Sequence, residues 1–171
     1  MVLATLSPGT YTVQAKGPTA AASGIVLVEV YDATPTSVPT NPKAINVSTR
    51  GVVGSGANSL IAGFVINGAA SRRVLIRGVG PGLAPFGVTG TLVNPALAVY
   101  RGTSVVAEND DWGGGEELAA TFRSVGAFAL SSSTSRDSAL LVTLAPGSYT
   151  AQLTGVNNTT GVALIEVYEV P

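Results

Sequence analysis

Leu141-Val-Thr-Leu-Ala-Pro-Gly-Ser-Tyr-Thr-Ala-Gln-Leu153 decides the fold, because it reads as two β-strands joined at a Pro-Gly turn. Tyr149, Ala151 and Leu153 fall on one face and Thr150 and Gln152 on the other, so one side of this strand is expected to be wet. The stretch also occurs earlier, as Leu3-Ala-Thr-Leu-Ser-Pro-Gly-Thr-Tyr-Thr-Val-Gln-Ala15, with 8 of 13 residues identical. A second block behaves the same way. Gly24-Ile-Val-Leu-Val-Glu-Val-Tyr-Asp32 returns as Gly161-Val-Ala-Leu-Ile-Glu-Val-Tyr-Glu169, with 5 of 9 identical. The offsets are 138 and 137 residues, so the chain reads as the tail of one repeat followed by one entire repeat.

Working outward, strands are predicted at 2–6, 10–15 and 24–31, a strand pair and a third strand that copy the C-terminal ones. The Pro/Thr/Ser tract at 34–42 is hard to build into a sheet and reads as a linker. The organisation expected is a partial repeat over 1–33, the linker, and a complete repeat over 43–171. Within that repeat, strands are predicted near 44–49, 60–66, 73–78, 96–101, 104–108, 127–130, 139–144, 148–154 and 161–169. Glu116–Val125 is the exception, with Leu118, Phe122 and Val125 at helical spacing and acids in the first turn. The fold class is therefore all-β, a sandwich or jelly roll with one short helix.

Composition removes several functions. Charged residues are 11% of the chain and the net charge is −1, so there is no basic stripe for nucleic acid. No apolar run reaches the ~18 residues of a membrane span. There are no cysteines and no histidines, which excludes disulfides and thiolate metal sites and removes the commonest general base. A serine nucleophile would need lysine as its base, and Lys16 and Lys43 sit in loop-like segments. No enzyme is expected. Gly78-Val-Gly-Pro-Gly82 and Gly51-Val-Val-Gly-Ser-Gly56 lack the features of phosphate loops and read as turns. Met1 falls inside the repeat, where the second copy has Ala139, and no basic segment precedes it; the start is read as a cut, with any export signal outside it.

Residues 94–169 carry a recognisable pattern: Asn94-Pro-Ala-Leu-Ala-Val-Tyr100, Val105-Val-Ala-Glu-Asn-Asp-Asp111, Asp137-Ser-Ala-Leu-Leu-Val-Thr-Leu144, Pro146-Gly-Ser-Tyr-Thr150 and Gly161-Val-Ala-Leu-Ile-Glu-Val167. This resembles the bacterial pre-peptidase C-terminal type of domain, a small β-sandwich appended to secreted enzymes and surface proteins. With the block from Ile45 to Pro81, the unit resembles long tandem repeats in large secreted proteins of environmental bacteria. The resemblance implies an extracellular or cell-surface address and a non-catalytic role.

Four sets of residues are candidates for function. Asn109, Asp110 and Asp111, with Glu108 before them and Asp137 as a further ligand, form the densest oxygen cluster; it reads as a turn or as a calcium site. Calcium is the one cofactor considered, and some relatives of the pre-peptidase type bind it through acidic loops. Trp112 reads as an anchor for its Gly-rich loop or as a stacking platform for a polysaccharide. Glu29 and Glu166 interrupt apolar strands at the same repeat position; each reads as a carboxylate near a sheet edge or held by an arginine, with Arg77 a candidate partner, in preference to a pocket acid.

The fourth set is the apolar face of the partial repeat: Leu6, Tyr11, Val26, Val28 and Val30. Exposing ~400 Å² of apolar surface would cost on the order of 10 kcal/mol. Such a face is expected to dock, onto its own domain or onto another copy; the reading taken is the second, giving a head-to-tail homopolymer by strand complementation. The function expected is an extracellular structural or adhesive repeat; the alternative is a calcium- or carbohydrate-binding accessory module.

Overall fold

The computed structural model describes residues 2–19, 22, 24–33 and 43–171. The chain divides into two units, Met1–Ala44 and Ile45–Pro171.

The second unit is a β-sandwich. Its strands are β1 (Asn46–Val53), β2 (Leu60–Ile66), β3 (Arg72–Val79), β4 (Pro95–Arg101), β5 (Ser104–Asn109), β6 (Ser138–Leu144), β7 (Gly147–Gly155) and β8 (Gly161–Val170), with one helix, α1 (Glu116–Ser124), between β5 and β6. One sheet has the order β1-β8-β3-β6 and the other β2-β7-β4-β5. All the strand pairs are antiparallel, with β8 between β1 and β3 and β7 between β2 and β4. Of the closing strands predicted from the repeat, β7 and β8 thus take central positions, one in each sheet, and β6 lies at an edge.

Alternation explains the core between the sheets. Tyr149, Ala151 and Leu153 from β7 meet Ile165 and Ala163 from β8, Ile76 from β3 and Val99 from β4. The other side of β3 is also buried, so Val74 to Val79 is a continuous buried run. A second core lies there, where Leu75, Val79 and Tyr168 are covered by Leu83, Trp112 and Phe122. α1 supplies Phe122 to it, as the spacing of Leu118, Phe122 and Val125 implies.

Three expectations change. Residues 127–130 form no strand; Ala127 and Leu130 fill the second core as an irregular strap, because Gly126 turns the chain at φ 74° directly after α1. Residues 51–53 belong to β1, where Gly51 pairs with Ala163, rather than to a turn. The strands predicted at 2–6, 10–15 and 24–31 are not formed among the described residues of the first unit. A strand needs a neighbour for its N–H and C=O groups, and two or three strands without a sheet are marginal in water. The linker at 34–42 lies outside the described residues.

Glycine is required where Leu92 passes. Leu92 is fully buried; its N–H donates to Val162 O at 2.8 Å, and Val162 N–H donates to Gly90 O at 2.8 Å. A Cβ on Gly80 would overlap the Leu92 carbonyl, and one on Gly161 would lie 2.6 Å from its nitrogen.

Candidate functional site

The sequence-predicted calcium residues are divided between solvent and the protein's own donors. Asp137 is fully buried just before β6. Its Oδ1 accepts from Gly80 N at 2.7 Å, both oxygens accept from Gly82 N at 3.1 Å, and Oδ2 accepts from Ser135 Oγ at 2.5 Å. That carboxylate clamps the loop after β3. Asn109 ties β5 to β6, accepting from Ala139 N at 2.9 Å and donating to Asp111 O at 2.8 Å. Glu108, Asp110 and Asp111 are exposed. Among the described residues no three acidic side chains converge as a ligand set.

Trp112 lies in the second core, with its ring 5.6 Å from that of Phe122 and its Nε1–H donated to Ser132 O at 3.1 Å. Its backbone N–H donates to Asp137 O at 2.8 Å. The indole therefore anchors its Gly-rich loop, and its face is packed rather than presented to solvent.

Glu166 is buried on β8, opposite Arg77 on β3. Arg77 Nε donates to Glu166 Oε2 at 2.8 Å; Nη2 is 2.7 Å from the same oxygen, an ion pair outside hydrogen-bond alignment. Nη1 donates to Phe128 O at 2.6 Å, and the guanidinium lies 4.7 Å from the Phe122 ring centre and 4.3 Å from that of Phe128. Tyr168 OH donates to the other Glu166 oxygen at 2.8 Å. Burial first, then the Glu166 charge and hydrogen bond, push the Tyr168 phenol well up, with Arg77 opposing. The network fastens the 127–130 strap to the sheet.

The first unit carries the same local signatures without the surroundings. Tyr149 OH donates to Ala145 O at 2.9 Å, and its counterpart Tyr11 donates to Ser7 O at 2.7 Å. Tyr31 donates to Glu29 at 2.9 Å, as Tyr168 does to Glu166. The hydrogen bond to Glu29, followed by its charge, raises the Tyr31 phenol too. Burial is where the copies part. Leu144, Tyr149, Ala163, Ile165 and Val167 are 0–7% exposed, whereas their counterparts Leu6, Tyr11, Val26, Val28 and Val30 are 49–69% exposed.

The four sheet edges of the second unit differ. β1 carries Arg50, and β5 carries Glu108 and an extra residue at Val106, where its register with β4 shifts. β6 is met at its start by Asn109 and Trp112. β2, Leu-Ile-Ala-Gly-Phe-Val-Ile, has no charge and no proline, pairs with β7 in unbroken register, and presents Ile61 and Val65 to solvent. The sequence reading singled out no edge, although the absence of charge in 60–66 was legible.

No protein-family model matches the chain. No curated protein matches it either. Among solved structures, the chain is similar to the pre-peptidase C-terminal domain of a collagenase from Bacillus anthracis, with 12% identity over 72% of this chain and 89% of that one and a TM-score of 0.43.

Proposed function

We propose that this chain is a non-catalytic structural module of an extracellular repeat protein, and that it assembles head to tail through strands donated by residues 2–33. One observation carries the reading. Five side chains of the first unit hold the repeat positions that are core in the second unit, yet are about half or more exposed. Such a face is costly in water, and strand-forming backbone without a sheet templates association. A donor at one end and an acceptor elsewhere give a heterologous contact, which grows rather than closes. The low charge and the sequence resemblance to domains of secreted proteins support the address.

The test is light scattering and negative-stain microscopy of the full chain across concentration, beside Val28→Asp. Assembly that grows with concentration and is lost in Val28→Asp is expected; a wild-type chain that stays monomeric throughout would contradict the reading.

A further inference from the structure

We infer that Asn67 is a modification site, whose side-chain amide is displaced by the main-chain nitrogen of Gly68 to leave aspartate and isoaspartate at position 67. The site is independent of the head-to-tail reading.

The chemistry sets the demands. Hydroxide takes the N–H proton of the residue after the asparagine, and that nitrogen's electron pair forms a bond to the side-chain amide carbon. The bond from that carbon to Nδ2 then breaks; water returns a proton to the departing group, which leaves as ammonia. A five-membered succinimide remains. Water opens it at either carbonyl, to aspartate when the new bond breaks and to isoaspartate when the original peptide bond breaks. Water is the sole co-reactant. The attacking nitrogen must therefore carry a hydrogen, be free of hydrogen bonds and have room beside it, and the amide must be unengaged.

Seven of the eight asparagines fail one of these demands. Asn41 and Asn94 precede prolines, which have no N–H. Asn46 precedes the β-branched Val47 within β1 and donates Nδ2 to Val167 O at 3.2 Å. Asn58 donates Nδ2 to Ser55 O at 3.2 Å, and Asn109 has both side-chain atoms engaged. Asn157 is followed by another side chain, and the Thr159 N–H after Asn158 is donated to Val156 O at 3.2 Å.

Asn67 meets them all. It lies in the exposed connection between β2 and β3, Asn67-Gly-Ala-Ala-Ser71. Among the described residues, neither its side chain nor the Gly68 N–H has a hydrogen-bond partner. A Cβ placed on Gly68 would meet nothing within 4 Å, so there is space for the ring. Gly68 has φ 92°, where other residues are strained, so this turn itself asks for the residue that leaves the attacking nitrogen least crowded. Isoaspartate adds one carbon to the main chain of the connection, and either product adds one negative charge. All five residues of the connection are exposed, so the sandwich should keep its packing.

The experiment holds the full chain at pH 6 and at pH 8, beside Asn67→Gln, and follows every asparagine by peptide mass spectrometry. Glutamine would have to close a larger ring and should react far more slowly. We expect conversion at Asn67 at least tenfold faster than at any other asparagine, faster at pH 8 than at pH 6, and yielding both products. The acidic form should be absent from Asn67→Gln, with the thermal midpoint unchanged. An intact Asn67, or faster conversion at another asparagine, would overturn the assignment. Aspartate without isoaspartate would mean direct hydrolysis by water and would overturn attack by Gly68.

Discussion

Tyr168 donates its hydroxyl to Glu166 at 2.8 Å from two residues along the same strand, and so closes the far side of a carboxylate already held by Arg77. The phenol must stay neutral to donate. Its folded pKa is raised above the ordinary 10.0, so above that pH the unfolded chain has lost a proton that the folded chain keeps. Stability from this group is fully present below pH ~10 and falls above it, by at most about 1.4 kcal/mol per pH unit. Urea unfolding at pH 8 and pH 11 should show the loss, and Tyr168→Phe should flatten it. An equally steep alkaline decline in the variant would assign the effect to other groups.

The Arg77–Glu166 pair should be expensive to break singly. Arg77→Ala leaves a buried carboxylate with one hydroxyl for company and detaches the Phe128 strap, a loss of about 3–5 kcal/mol. The double variant Arg77→Met/Glu166→Leu should recover most of that, because no buried charge remains. Chemical denaturation of both variants checks it; a single-variant loss under about 1 kcal/mol would mean that the pair does not fasten the strap.

Asp137 is expected to act as a loop clamp. Asp137→Ala strands the buried amides of Gly80 and Gly82 and should destabilise by about 3 kcal/mol or more. Because both its oxygens already accept from the protein, millimolar calcium should leave the wild-type thermal midpoint where it is. A clear upward shift with calcium, lost in Asp110→Asn/Asp111→Asn, would restore the metal reading of that turn.

Gly80→Ala should fail through sterics alone, because its Cβ would occupy the place of the Leu92 carbonyl. Leu92→Ala leaves the backbone free but empties a fully buried site, at about 2–5 kcal/mol. If Gly80→Ala unfolds at the wild-type urea midpoint, the close approach of these two loops is not maintained.

Period-two alternation located β7, and apolar runs located β2, β3, β4, β5, β6 and β8 to within a residue or two, because a half-buried or doubly buried strand leaves that pattern in its own residues. Glu166 was legible in part: a lone carboxylate in an apolar strand needs a sheet edge or a cation, and the structure supplies the cation, Arg77. Trp112, Asp137 and the 127–130 strap were not legible in that way. Their partners, Phe122, the Gly80–Gly82 amides and the Arg77 guanidinium, come from distant segments, and no local period encodes such contacts. The strands expected in 2–33 had the right pattern too. What they lack is a neighbouring sheet, which no pattern within the segment supplies.

Most directly, amide hydrogen exchange at Ile25, Leu27 and Tyr31 can be followed as the full chain is concentrated. Orphaned strand residues that find a sheet on another molecule should pass from unprotected at low concentration to strongly protected at high concentration. Exchange at the unprotected rate at every concentration would contradict donation between molecules.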